Sequence, residues 1–351
     1  MTVGVNCMKR FSIVSLGVLL IILLVGGVFI AGCATTQPSQ NGTIPATTAV
    51  SEKPKLLIAT TTSLYDTGLL NYLEQKYESQ NNVDLQITSQ GTGKAIEIAK
   101  KGDADVLLVH SPSQELAFVK DGFGINRRSF ASNYFMIVGP ANDPAGIINM
   151  TPENAFTTLL LKGSNKTADV YFVSRGDGSG THTAEKAIWA KANFNYTMTV
   201  EKSGNWYIEA GKGMGETLQL ASEKKAYALT DEGTFLAYKS NLTLVPIITK
   251  GSSLLNIYSV MTVYNDKQPV GKIQMANNFI NFLISPQTQT DIGNFGVDKY
   301  GKSLFTPMSV SVPTAAAGYV GDYSTPATDL KPSTVAVNAT VTLAANATAV
   351  K

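Results

Sequence analysis

Residues 168–190 read as strand, glycine-rich turn and helix in direct succession. Ala168 to Val173 is strand-like, Ser174-Arg175-Gly176-Asp177-Gly178-Ser179-Gly180-Thr181-His182 forms the turn, and Thr183 to Ala190 has a helical pattern. This order leaves backbone N–H groups at the helix start without intrahelical partners, at the positive end of the helix dipole. Units of this kind assemble into α/β folds, and such a turn is suited to holding an anion. Arg175 adds a permanent charge on a planar fork that can meet two oxygens of one ligand, and Ser179 and Thr181 add hydroxyls. The competing reading is a surface loop in which Arg175 only pairs with Asp177.

The same alternation runs along the chain from about residue 54 to 308. Lys55 to Thr60 reads as a buried strand, and Asp66 to Tyr77 as an amphipathic helix capped by Asp66 or Thr67. A strand at Val83–Thr88, a helix at Lys94–Lys100 and a strand at Asp105–His110 follow. A new phase opens at Phe135–Pro140 and includes a second turn, Gly211-Lys212-Gly213-Met214-Gly215, before a helix at Glu216–Lys224; no clear strand precedes that turn. A strand at Leu255–Val263 and a helix at Lys272–Ile284 complete the pattern. It predicts two α/β lobes with a cleft between them, the chain crossing near residue 139 and again near 258. Lobe one then holds residues 54–139 and 258–308, and lobe two holds 140–257.

The ends differ. Lys9 and Arg10 precede an uncharged apolar run, Phe11 to Ala31, and then Gly32-Cys33. This pattern has two readings: a lipoprotein signal over residues 1–33 with Cys33 as the lipidated first residue, or an uncleaved membrane anchor. Both place the remainder outside the cytoplasm. The only cysteines are Cys7 and Cys33, so the exported part has neither disulfide nor thiol chemistry. Residues 34–53 read as a flexible stalk, and 309–351, rich in Ala, Thr, Val, Ser and Pro, as a mostly disordered low-complexity tail. Asn-x-Thr sequons are scattered through so Asn- and Thr-rich a chain and leave glycosylation open. The net charge is +2, which Lys9 and Arg10 alone supply; this argues against a nucleic-acid partner.

Four turns sit at expected helix starts: Thr60-Thr61-Thr62-Ser63, Gly91-Thr92-Gly93, Arg175–Thr181 and Gly213-Met214-Gly215. In an open α/β sheet such turns gather at one edge. Hydroxyls and helix starts converging from two lobes suit a small dianion held mainly by hydrogen bonds. There are two histidines, His110 and His182, and no cysteine near them, which argues against a metal site or cofactor. His110 reads as a cleft or core residue able to donate to a ligand, His182 as a helix-face residue. A phosphate-ester hydrolase is the competing class, but no nucleophile stands beside a base and no carboxylates cluster for metals. The expectation is binding without catalysis.

Thr60-Thr61-Thr62-Ser63, Asp66-Thr67-Gly68-Leu69-Leu70, Gly91-Thr92-Gly93 and Gly102–His110 occur in the order that resembles the tungstate-binding proteins of Tup-type ABC importers. Ser174–Asp177 with Ser179–His182, and Gly211-x-Gly213-Met214-Gly215-x-Thr217-Leu218, are similar to the same family. The resemblance spans most of residues 55–307. It implies a type II periplasmic-binding-protein fold, two α/β lobes with a ligand cleft and a two-segment hinge. It also implies a tetrahedral oxyanion ligand, tungstate first, with molybdate, phosphate or sulfate as alternatives. Thr61, Thr62, Ser63 and Thr92 would bind from the first lobe, and Arg175, Ser179, Gly180 and Thr181 from the second. A membrane permease and its cytoplasmic ATPase are the implied partners, served by a monomer with no cofactor. One departure stands out: Thr230-Asp231-Glu232-Gly233-Thr234 has Glu232 where the family commonly has Arg.

Overall fold

The computed structural model describes residues 52–165, 169–308 and 321–332. The apolar run, Cys33 and the sequons at Asn41, Asn338 and Asn346 lie outside the described residues, as do 309–320 and 333–351. Among the described residues no helix is long and apolar enough to cross a membrane.

Strand β1 (Lys55–Thr61) leads into a short helix α1 (Thr62–Asp66) and then α2 (Leu69–Gln80). The expected single helix is therefore broken. Gly68, at φ +82, takes the left-handed conformation that a helix interior cannot hold, and the Thr67 hydroxyl accepts from Leu69 N beside it. Strand β2 (Asp84–Gln90), helix α3 (Thr92–Lys101), strand β3 (Val106–Val109) and helix α4 (Pro112–Lys120) follow. Strand β1 pairs in parallel with both β2 and β3. The apolar periodicity explains the layers. Leu69, Leu70, Leu73 and Tyr77 of α2 are buried in one core, and Ala95 and Ala99 of α3 in another with Leu107 and Val109.

Strand β4 (Gly124–Gly139) is sixteen residues long and serves both halves of the molecule. Helix α5 (Pro152–Ser164), strand β5 (Phe172–Ser174), helix α6 (Gly180–Lys191), strand β6 (Tyr207–Glu209) and helix α7 (Met214–Lys224) build the second half. Strand β7 (Ala228–Asp231), helix α8 (Glu232–Tyr238) and strand β8 (Val245–Ile248) close it. Strand β9 (Leu255–Val263) returns to the first half, followed by helices α9 (Val270–Ile284) and α10 (Pro286–Asn294) and a short β10 (Thr306–Pro307). A strand does precede the second glycine turn after all. It is β6, three residues long and paired in parallel with β5, too short to leave a periodic pattern in the sequence.

The change of partner along β4 marks the crossing. Gly124 to Tyr134 lies against β9, ending at Tyr134 opposite Leu255, while Phe135 to Val138 lies against β7. The pairing partner of β4 thus changes between Tyr134 and Phe135, and β9 begins at Leu255. The first part of β4 carries Asn126, Arg127, Arg128, Ser129, Ser132 and Asn133, so only its apolar end reads as strand. Trp189, Phe156 and Phe172 sit in one core of the second half, and Met214, Leu218 and Phe235 in another.

Residues 321–332 depart from the expectation of a disordered tail. Asp322 O accepts from Ser129 N, and Arg128 Nε and Nη2 donate to Thr325 O and Pro326 O at 2.6 and 3.2 Å. Asn126 and Asn277 both donate to Asp329 O, and Ala327 is buried. Polar side chains of the body grip the backbone of this segment, so it needs almost no apolar pattern of its own.

Candidate functional site

Each expected turn lies at a strand end and starts a helix, and all four meet around Arg175. Its side chain is buried. Nε donates to Lys212 O (3.3 Å), and Nη2 donates to Thr62 Oγ1 (3.1 Å) and Asp177 Oδ2 (2.6 Å). Nη1 has no partner. The planar fork is therefore not free to take two ligand oxygens from both ends. One nitrogen is already spent on Asp177 and Thr62, and Nη1 alone of the three is without a partner. The pairing with Asp177 belongs to the site and is not an alternative to it.

Gly178, at φ +69, turns the chain so that its N–H donates to His182 Nδ1, while Ser179 N donates to Asp177 Oδ1. Ser179 Oγ caps α6 by accepting from His182 N. His182 is buried rather than on an open helix face; it supports the turn from beneath, with Nε2 on the Tyr196 hydroxyl (2.9 Å). Burial pushes its pKa down to about 4. Gly180 is needed for a different reason: a Cβ there would lie 2.7 Å from the His110 ring.

The first lobe closes onto this turn. The Gly91 Cβ position lies 3.0 Å from Asp177 Oδ2, Gly93 packs near Gly178 O, and Gln114 Nε2 donates to Thr183 Oγ1 at 2.9 Å. Thr234 Oγ1 donates to Ser63 O at 3.2 Å. Glu232, the departure in that segment, sits in the first turn of α8, where a negative charge suits the helix dipole, and pairs with Lys302 of the first lobe.

The expected site residues separate into two groups. Thr92 and Thr181 are buried with hydroxyls that have no partner. Thr61 Oγ1 instead accepts from Leu64 N as the cap of α1, Thr62 Oγ1 accepts from Arg175, and Ser63 Oγ lies 2.9 Å from His110 Nε2. Thr60 was missed: its hydroxyl is buried without a partner at the end of β1. Among the described residues no three His, Cys, Asp or Glu side chains come together as a metal site would require. Carboxylates do approach Arg175 singly. Burial raises Asp66 to about 6 despite the pull of Arg175, and burial raises the Asp231 pKa as well.

Four buried side-chain donors on these turns are without partners, the Thr60, Thr92 and Thr181 hydroxyls and Arg175 Nη1, and donors of this kind suit a small desolvated anion. A cavity of about 370 Å³ reaches Gly180 and His110, with Phe135, Ile188, Leu255 and Ile257 among its walls, but Thr60, Thr92, Arg175 and Thr181 do not line it.

Two α/β lobes joined by strands β4 and β9 around such donors define a type II periplasmic binding protein. Comparison with known proteins agrees. Residues 36–287 match the model of the PBP superfamily domain. Tungstate-binding protein TupA of Peptoclostridium acidaminophilum is 37% identical over 300 residues, covering 86% of this chain and 99% of the relative. The solved structure of the tungstate ABC transporter from Geobacter sulfurreducens is 41% identical with a TM-score of 0.61, covering 69% of this chain and 98% of that one. The tungstate-binding protein TupA from Desulfovibrio alaskensis is 39% identical with a TM-score of 0.60, covering 72% and 98%. The chain belongs to the PBP superfamily and, within it, to the family of TupA-type tungstate-binding proteins.

Proposed function

We propose that this chain captures tungstate outside the cytoplasm, as a binding protein without catalysis, and delivers it to the permease of an ABC importer driven by a cytoplasmic ATPase. The observation that carries this reading is the set of unpartnered buried donors: Thr60, Thr92 and Thr181 hydroxyls and Arg175 Nη1. The two hydrogens of Nη1 and the three hydroxyls can meet four oxygens of a tetrahedral ion. The backbone N–H groups at the starts of α3, α6 and α7 add donors and favourable dipoles. Thr61 and Thr62 contribute by holding the first turn, with Thr62 also steering Arg175, and Ser63 stands on the same turn beside His110. Ser179 and Gly180 shape the second.

Hydrogen phosphate differs from tungstate and molybdate by carrying a proton at neutral pH, which needs an acceptor in a dry site. Asp177 is the nearest candidate, but its two oxygens are taken by Arg175 Nη2 and Ser179 N. The site therefore favours ions that have no proton to place. A single monomer supplies both lobes, and residues 1–33 tether it, through lipid on Cys33 or as an uncleaved anchor; the mass of the mature protein tells which. Calorimetric titration with tungstate, molybdate, sulfate and phosphate tests the function. Tungstate should bind tightly and phosphate weakly; phosphate binding as tight as tungstate at neutral pH would refute the reading.

A further inference from the structure

A chain of hydrogen bonds runs from the first turn to the two strands that cross between the lobes. Ser63 Oγ lies 2.9 Å from His110 Nε2, His110 Nδ1 lies 2.9 Å from Asn256 Oδ1, and Asn256 Nδ2 donates to Asn133 Oδ1 at 2.9 Å. All four residues are buried. Asn133 and Asn256 face each other across β4 and β9, beside the crossing at Tyr134 and Leu255.

With Asn256 presenting its oxygen to the ring, the direction of every proton in the chain follows. An amide oxygen only accepts, so His110 Nδ1 carries a hydrogen. The ring is neutral: burial pushes its pKa down to about 4, and Arg175 pushes the same way against Asp177 and the Asn256 bond. Nε2 is then bare and accepts from the Ser63 hydroxyl. Thr61 Oγ1, 3.3 Å from Ser63 Oγ, becomes the donor to it. Every hydrogen in this chain points away from the cleft and toward the hinge. At the far end Asn133 Nδ2 makes no well-aligned hydrogen bond and has only the neighbouring Tyr258 hydroxyl beside it. An anion asks for the opposite polarity.

We propose that His110 is a positioning residue that reverses this chain when the oxyanion is captured, changing from the Nδ1–H to the Nε2–H tautomer so that the Ser63 hydroxyl donates to the ligand. The inference rests on the oxyanion reading of the site. In the reversed arrangement both amides turn by half a rotation. Asn133 Nδ2 donates to Asn256 Oδ1, Asn256 Nδ2 donates to His110 Nδ1, and His110 Nε2–H donates to Ser63 Oγ. Ser63 is thereby freed to donate to the anion. The Asn133 nitrogen gains an acceptor. The buried Tyr258 hydroxyl, beside Asn133 and Asn256 and with its ring tilted against His110 at 4.9 Å, then donates to the turned Asn133 oxygen. While the lobes are open, the ring gives its Nδ1 proton to water and takes one at Nε2 from water. No net charge moves. One ligand contact is thus tied to the amide pair at the hinge.

The chain has two histidines, so the full-length protein labelled with ¹⁵N-histidine reports the tautomer directly, with His182→Gln assigning the pair. Two-bond proton–nitrogen spectra should show His110 as the neutral Nδ1–H form alone and as the neutral Nε2–H form at tungstate saturation. Saturation with the Nδ1–H form retained, or with an imidazolium, overturns the proposal and leaves the function standing. No tungstate binding at all defeats both. Affinity gives a second reading. Ser63→Ala and His110→Phe should each weaken tungstate about ten- to a hundredfold, as loss of one hydrogen bond to a charged group does. The double variant should be no weaker than either alone. His110→Gln, whose amide N–H reaches toward Ser63, should recover most of the loss. A His110→Phe protein that binds as tightly as the native one overturns the proposal.

Discussion

Arg175 uses three nitrogens on four jobs: Nε on the Lys212 carbonyl, Nη2 on Thr62 and Asp177, and Nη1 held open. Arg175→Ala should weaken tungstate binding at least about a hundredfold, because truncation leaves Asp177 as an uncompensated carboxylate beside a dianion. Asp177→Asn should act the other way. With its one oxygen kept on Ser179 N, the amide turns its NH2 toward Arg175 Nη2; Nη2 loses that acceptor and is released toward the ligand, the repelling charge is gone, and calorimetry should show tungstate bound about tenfold tighter. A second residue-scale test concerns Glu185, buried beneath the turn and accepting from Ser174, Trp189 and Tyr207. Burial pushes its pKa up from 4.5 to about 7. The folded state therefore holds that proton more firmly than the unfolded chain, and the associated stability is lost as pH rises from 4.5 through 7. Glu185→Gln should gain on the native protein between pH 5 and pH 8, by on the order of 1–3 kcal/mol. Equal melting-temperature differences at both pH values would contradict this. Sequence shows the Thr60–Ser63 cluster but not which hydroxyl stays free, since that depends on where the strand hands over to the helix. Thr61 falls on the cap, and Thr60 is left over.

Elements with a strong period were readable: the faces of α2 and α3, the apolar β3 and β9, and the strand–turn–helix order that brings the turns together. Elements held by pairing or by polar contacts were not. The three-residue β6, unlike the strand before the Arg175 turn, exists because it pairs with β5. The polar first part of β4 is a strand because β9 lies along it. The segment at 321–332 is fixed by hydrogen bonds that Arg128, Asn126 and Asn277 make to its carbonyls, and no pattern within the segment announces them. Arg128→Ala should release it. Two charge-assisted bonds are lost, at roughly 1.5–3 kcal/mol each in the general case, so limited proteolysis should cut near residue 325 much sooner. Unchanged protection would show that the asparagines suffice.

Across the whole molecule, closure is held by few direct bonds. Gln114 meets Thr183, Arg175 meets Thr62, Thr234 meets Ser63 and Lys302 meets Glu232. A ligand that engages Thr92 on one side and Thr181 and Arg175 on the other favours the closed form by its differential contacts alone. Small-angle scattering should show a smaller radius of gyration with tungstate than without, and identical radii at saturation would contradict the hinge. The form of that hinge follows from β4. Both lobes hang on one unbroken strand, with pairing to β9 ending at Tyr134 and pairing to β7 beginning at Phe135, so no slack loop separates them. A strand resists stretching and shearing far more than torsion. The cleft is therefore expected to open largely by rotation about the axis of β4, as a wrung ribbon does, and a permease that recognises the closed form would then read the angle through which the ribbon is wound.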